Sequence, residues 1–114
     1  ETFKNLVKDT GVEVEVIMAF TSAISPTDSD LFKAIEEVTS DLYPNSSVVP
    51  SVSTGFTDSH FTRDLGIVSY GFDPTIVPES EFSRIHGNDE RISVEGFRHG
   101  VSDHLAIIQA IVYD

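Results

Sequence analysis

One short polar stretch in the second half of the chain concentrates side chains that could do chemistry. The sequence SRIHGNDERISVEGF occupies residues 83–97 and places His86 just ahead of Asn88, Asp89 and Glu90. Imidazole and carboxylate groups are common zinc ligands, so metal binding by His86 is one hypothesis. Because zinc takes three or four ligands, an ordinary histidine in a turn is the other interpretation. The residues alone do not decide between the two.

A second polar segment, TDSHF, has the residue types of a catalytic triad. Asp58, Ser59 and His60 are consecutive, however, and consecutive residues of a helix or turn point in different directions. The chain also lacks the G-x-S-x-G sequence that presents a nucleophilic serine in α/β hydrolases. The sequence therefore argues against a serine hydrolase site.

The segment STGFTDS, residues 53–59, is a glycine turn that leads into a helix start. Its backbone N–H groups could hold an anion such as a substrate carboxylate. Neither the lysine of a phosphate-binding loop nor a G-x-G-x-x-G sequence accompanies it. An ordinary helix-capping loop is the alternative, and both interpretations stay open.

The other candidate ligands favour structural interpretations. Asp28 and Asp30 lack the glycine and distal glutamate of a calcium-binding loop, so we interpret them as helix-start residues. His99 and His104 are five residues apart, a spacing that does not bring two side chains onto one helix face. Both are expected to be surface histidines.

Composition narrows the partners further. The formal charge of −12 and a pI near 4.4 exclude nucleic acid and anionic membranes as favoured partners, because like charges repel. The absence of cysteine excludes disulfides and thiolate metal sites. The longest apolar run, VIMAF at 16–20, is far shorter than the ~20 residues that cross a bilayer. No targeting segment is visible, so we expect a cytoplasmic location.

Hydrophobic periodicity predicts the elements that must position these residues. In the first half, a helix is expected to end at Gly11 and a half-buried strand to follow over 12–20, where valine alternates with glutamate. A second helix should begin near Pro26, with Ser25 or Thr27 as its cap, and run to Leu42.

In the second half, strands are predicted over 47–52 and 67–72, with a brief helix from Thr57 or Asp58 to Gly66 between them. Residues 75–92 form a loop with at most a short helical turn. Ser93 caps a last helix that carries a continuous apolar stripe: Val94, Phe97, Val101, Leu105, Ile108 and Val112. This alternation predicts an α/β fold with helices on a mostly parallel or mixed sheet.

Two segments, STGFTDSHFTRDLGIVSYGF and RIHGNDERISVEGFRHGV, strongly resemble the carboxyl-terminal part of the M20 family of zinc metallopeptidases. That family includes carboxypeptidases, dipeptidases, aminoacylases and deacetylases. The likeness extends from about Val14 to Val112. It implies that residues 1–20 are the end of a lid or dimerisation domain and that residues 21–114 are the carboxyl-terminal part of a catalytic domain.

The resemblance also implies roles for particular residues. His86 matches the last ligand of a two-zinc centre, and Asn88 and Glu90 match residues that order its loop. A further group matches the loop beside the substrate: Ser53, Thr54, Gly55, Thr57 and His60. Many members have arginine at the position of His60, so the substrate preference of this chain is open.

Most of the family's machinery has no counterpart here. There is no H-x-D sequence, and the one Glu-Glu pair, Glu36–Glu37, falls within a predicted helix. We therefore assign no catalytic residue and expect a fragment of a zinc-dependent hydrolase, inactive alone, that acts in the complete enzyme on peptides or N-acyl amino acids. The alternatives are a non-catalytic acidic α/β binding or scaffold module, or a fragment that forms a homodimer.

Overall fold

The computed structural model describes residues 5–6, 11–53 and 55–113. It contains four helices in these ranges: α1 (Asp30–Leu42), α2 (Ser59–Asp64), α3 (Glu79–Phe82) and α4 (Val94–Val112). The helix predicted near the amino terminus falls almost entirely outside the described residues. None of the helices in the described ranges is long and apolar enough to cross a membrane.

Helix α1 ends at Leu42 as predicted, but its cap differs from the expectation. The Ser29 hydroxyl accepts a hydrogen bond from the backbone N–H of Phe32 at 3.1 Å, which satisfies a donor that the first turn leaves unpaired. Ser25 and Thr27, the predicted caps, lie further upstream. Ser25 is instead buried in a hydrogen-bond network with Ser69.

The predicted cap of α4 is confirmed. The Ser93 hydroxyl accepts from the backbone N–H of Gly96 at 2.9 Å, and Glu95 places a negative charge in the first turn, where it favours the positive end of the helix dipole. The short helical turn that the preceding loop allowed is α3, which follows Pro78.

Helix α4 turns its apolar stripe outward. Its buried residues are Gly96, Gly100, Asp103 and Ile107, which recur at helical spacing on another face. The stripe residues all remain more than half exposed, from 54% to 72%: Val94, Phe97, Val101, Leu105, Ile108 and Val112. Helix α4 contacts α1, and Ile107 is the large apolar residue that it buries, whereas the apolar stripe is left uncovered.

The glycines on the buried face allow the preceding segment to lie directly on α4. A Cβ at Gly96 would come within 2.8 Å of the carbonyl oxygen of Ile76, and one at Gly100 within 2.5 Å of the Thr75 hydroxyl. No real Cβ tolerates such distances. These two positions thus determine how closely residues 75–76 approach the helix.

The strands predicted over 12–20, 47–52 and 67–72 are absent from the described residues. A strand requires a neighbour that pairs with its N–H and C=O groups, and apolar alternation supplies no such neighbour. The side chains that motivated these predictions are exposed: Ile17 by 90%, Val52 by 83% and Ile67 by 53%. Within the described ranges, the predicted sheet is therefore not present.

The core is correspondingly small. Its buried apolar residues are Phe32, Ala34 and Ile35 of α1 with Ile107 of α4. The radius of gyration is 18.7 Å, whereas a compact domain of this length would have about 13 Å. The described residues therefore form an open arrangement around one helix pair.

Candidate functional site

His86 lies at the exposed tip of a tight turn between α3 and α4. Its φ of 62° is in the left-handed region, which residues other than glycine adopt uncommonly. The Glu90 carboxylate accepts a hydrogen bond from the backbone N–H of His86 at 3.0 Å, and the N–H of Gly87 donates to the carbonyl oxygen of Arg84 at 2.7 Å. Two local hydrogen bonds thus hold the backbone in this conformation.

Ion pairs join the two ends of the same loop. Arg91 donates two parallel hydrogen bonds to Glu81, from Nε to Oε2 at 3.0 Å and from a terminal nitrogen to Oε1 at 3.1 Å. Arg84 lies between the ends and pairs with Glu81 at 3.1 Å and with Asp89 at 3.1 Å. We call these four residues the 81–91 clamp.

The electrostatics of the clamp favour its charged form. Hydrogen bonding by Arg91, reinforced by the charges of Arg91 and Arg84, holds the pKa of the Glu81 carboxyl below its ordinary value. The same hydrogen bonds raise the pKa of the Arg91 guanidinium. The Glu81 side chain is only 19% exposed, so solvent screens this pair less than an open surface pair.

In the part of the chain that the structure describes, the donor set around His86 is smaller than the three or four ligands that a zinc ion takes. Among the described residues, the imidazole of His86 forms no hydrogen bond or ion pair, so its nitrogens remain available to a ligand. No group of three or more histidine and acidic side chains within the described ranges is arranged to hold a metal. The chemistry fits one ligand of a larger set, and the remaining ligands would have to come from other residues.

The second predicted site segment, residues 53–60, forms a turn that leads into α2. The Ser53 hydroxyl accepts from the backbone N–H of Gly55 at 3.2 Å, and the carbonyl of Thr57 accepts from the N–H of His60 at 3.1 Å. Thr54 lies outside the described residues. Within the described ranges, no hydrogen bond or ion pair joins this segment to the turn of His86.

His60 sits among three phenylalanine rings. The centroid of its ring is 4.5 Å from that of Phe20, 5.9 Å from Phe56 and 5.3 Å from Phe61. Phe20 also stacks on Phe56 at 4.6 Å. We call these four residues the aromatic cluster. Its three phenylalanines remain 43% to 54% exposed, whereas the His60 side chain is 19% exposed.

Only one ring nitrogen of His60 has a charged neighbour in the described residues. Nε2 lies 3.3 Å from the Asp64 carboxylate one turn along α2. A protonated His60 would therefore be partly neutralised by Asp64. The imidazole of His60 therefore lies beside one carboxylate in an otherwise apolar setting.

The neighbouring Arg63 anchors α2 to the rest of the chain. Its Nε donates to the Ser25 hydroxyl at 2.9 Å and a terminal nitrogen donates to the carbonyl of Ser69 at 2.6 Å. The Ser25 hydroxyl in turn donates to that carbonyl at 2.8 Å. These bonds fix the helix that carries His60 to segments 44 residues apart in sequence.

A pocket of about 410 Å³ lies between α1 and α4 but includes none of the predicted site residues. Its walls are mainly apolar, among them Leu42, Phe72 and Ile107, with Asp103 and Tyr43 as polar groups. We assign this pocket no role in the proposed chemistry.

Sequence reasoning missed the clamp and the aromatic cluster. Glu81 and Arg84 have the three-residue spacing of an ion pair on one helical turn, which was a readable signal. Arg91 is ten residues from Glu81, and the sequence holds no sign that the loop folds back on itself. Phe20 likewise stacks on Phe56, 36 positions along the chain, and no sequence pattern indicates this contact.

The sequence profile of peptidase family M20/M25/M40 matches residues 4–110, nearly the whole chain. The chain belongs to this family. Family membership implies an α/β peptidase fold.

Curated relatives of this M20 chain include N-fatty-acyl-amino acid synthase/hydrolases. The protein from Xenopus tropicalis is 32% identical over 93% of the chain, and the human protein is 32% identical over 96%. A carboxypeptidase S-like protein of Dictyostelium discoideum is 24% identical over 75% of the chain. The chain spans about a fifth of the length of the first two relatives, 21% and 22%. No solved structure gives a significant match.

Proposed function

We propose that this M20 chain forms part of a zinc-dependent hydrolase that cleaves the amide bond of N-acyl amino acids, with His86 as one zinc ligand. The observation that supports this role is the turn itself. It presents an unengaged imidazole at an exposed tip, and Glu90 and Gly87 hold the backbone in a conformation that histidine rarely adopts.

Zinc, when bound, would polarise the scissile carbonyl and make water a stronger nucleophile. The part of this chain would be to hold one coordination position and to shape one wall of the cleft. Glu90 and Asn88 would order the loop. No catalytic acid or base is assigned among these residues, and the isolated chain is expected neither to hold zinc tightly nor to turn over substrate.

The aromatic cluster is the observation that favours an N-acylated substrate. The named activity of the vertebrate relatives concerns N-fatty-acyl amino acids, molecules that join an apolar chain to a carboxylate. The half-exposed rings of Phe20, Phe56 and Phe61 would offer apolar surface to the acyl chain. The adjoining Ser53–Thr57 turn, with His60 beside it, would contact the polar end. Peptides are the alternative substrate class.

His86→Ala in the full-length protein tests this function. We expect loss of most hydrolysis of N-acyl amino acids together with a lower zinc content by elemental analysis. His99→Ala is the matched control, because that histidine is 56% exposed on α4 and should change neither quantity. A His86→Ala variant with full activity and full zinc content would refute the proposal.

Three further expectations remain proposals: the domain boundary after residue 20, the cytoplasmic location and the homodimer. Sedimentation of the full-length protein at several concentrations would decide the last. A strictly monomeric species would rule the homodimer out.

A further inference from the structure

The loop that carries His86 is bounded by charges that meet although they are far apart in sequence. Glu81 ends one side of the loop in α3, and Arg91 lies just before the cap of α4. Their two parallel hydrogen bonds, at 3.0 and 3.1 Å, have the planar geometry that makes arginine–carboxylate pairs directional. The base of the loop is thereby closed at a fixed distance.

Arg84 extends this closure towards the tip. It pairs with Glu81 at the base and with Asp89 beyond the turn, so one guanidinium bridges both arms of the loop. Its own carbonyl oxygen accepts the hydrogen bond from the N–H of Gly87. The residue that contributes charge to the clamp therefore also holds the backbone next to His86.

The turn needs such support. A residue other than glycine is strained in the left-handed region, so the conformation of His86 persists only where the surroundings enforce it. The turn is also tight at the next residue, because a Cβ at Gly87 would lie 2.9 Å from the Arg84 carbonyl oxygen. A loosened base would let the backbone at His86 relax to commoner angles and turn the imidazole elsewhere.

We propose that the 81–91 clamp is a positioning device: Glu81 and Arg91 act through the loop to set the direction in which His86 presents its imidazole to a metal. A single exposed ion pair contributes little, but a bidentate pair within a network is the arrangement in which such pairs matter. The inference rests on the proposed ligand role of His86. Neither Glu81 nor Arg91 is expected to touch substrate or metal.

A double-mutant cycle in the full-length protein tests this inference. The variants are Glu81→Gln, Arg91→Gln and the two combined, with Glu79→Gln as the control that removes a charge from the same short helix without touching either arginine. Two quantities are measured: hydrogen exchange of the His86 and Gly87 amides, and affinity for Zn²⁺ alone by competition with a chelator. A thermal melt confirms that the fold is retained.

Each single variant should exchange these amides about fivefold faster, as expected for loss of an ion-pair network. Each should also bind zinc about tenfold more weakly, the usual cost of losing a group that orients a ligand. The combined variant should lose little more than Glu81→Gln alone, because the contact of Arg91 is already lost when Glu81 is changed. Glu79→Gln should match the unmodified protein.

The inference and the proposed function fail in different ways. If His86→Ala leaves zinc content unchanged, the ligand role of His86 is wrong. If that role holds but Glu81→Gln and Arg91→Gln leave both quantities unchanged, the clamp has no positioning role. Faster exchange with unaltered zinc affinity would also overturn the inference, because the clamp would then hold the loop without directing His86.

Discussion

The hydroxyl of Tyr43, just after α1, donates a hydrogen bond of 2.6 Å to the carboxylate of Asp103 in the middle of α4. Asp103 is 6% exposed, which makes it a buried acidic residue that needs a partner. This bond links the two helices beside a core of four apolar side chains.

Tyr43→Phe should destabilise the full-length protein by about 1–3 kcal/mol, because it leaves the Asp103 carboxylate without that donor. Denaturant-induced unfolding followed by circular dichroism measures the change. Tyr113→Phe is the control, since that ring is 82% exposed. Equal stability of the two variants would show that the bond contributes nothing to folding.

The same bond predicts a dependence on alkaline pH. Hydrogen bonding to Asp103 raises the pKa of Tyr43 above its ordinary value of 10.0, so the folded protein keeps a proton that the unfolded chain releases. The contribution of this bond to the unfolding free energy is complete below pH 10. It is lost as the pH rises through the pKa that Tyr43 has in the folded protein. The unfolding free energy should therefore fall more steeply above pH 10 in the unmodified protein than in Tyr43→Phe. Parallel curves for the two proteins would contradict this.

Gly100→Ala should be destabilising even though alanine is the better helix former by about 1 kcal/mol. The new Cβ would lie 2.5 Å from the Thr75 hydroxyl and 3.3 Å from the Thr75 Cα, so the segment over α4 must move. We expect a net loss of about 1–3 kcal/mol, as for other overpacked sites. Gly71→Ala, which meets nothing within 4 Å, is the control. A more stable Gly100→Ala protein would refute the close approach.

Phe56→Ala should change the chain-length preference of the proposed hydrolase. The substitution removes a half-exposed ring from the aromatic cluster, and with it about 1–3 kcal/mol of binding free energy for a long acyl chain. An acetyl group is too short to contact the ring, so its binding should not change. The ratio of kcat/KM for N-oleoyl over N-acetyl substrates should therefore fall. Phe97→Ala, an equally exposed ring on α4, should leave the ratio unchanged. An unaltered ratio in Phe56→Ala would place the acyl chain elsewhere.

Local signals were enough to predict α2 and α4. Ser93, the long apolar period after it and the glycine at 66 each act within a few residues, and α2 and α4 form where these signals place them. The capping of α1 by Ser29 was missed because several serine and threonine residues precede that helix and any of them could serve.

Long-range features escaped prediction for a physical reason. A strand depends on a partner that the alternating valines of 12–16 do not identify, and the clamp depends on a loop that returns to its start. The apolar stripe predicted helix α4 correctly but did not predict which face of the helix is buried. Gly96 and Gly100 allow residues 75–76 to approach that other face more closely than larger side chains would. The family resemblance assigned His86, but only the structure revealed how its turn is held.

The separation of 60 positions in sequence between Tyr43 and Asp103 has a consequence for the order of events during synthesis. A ribosome adds about 5–20 residues per second, so α1 emerges roughly 3–12 s before the middle of α4 exists. Throughout that interval Phe32 and Ile35 lack the helix that covers them in the finished structure. The α1–α4 pair can therefore form only after the middle of α4 has been synthesised.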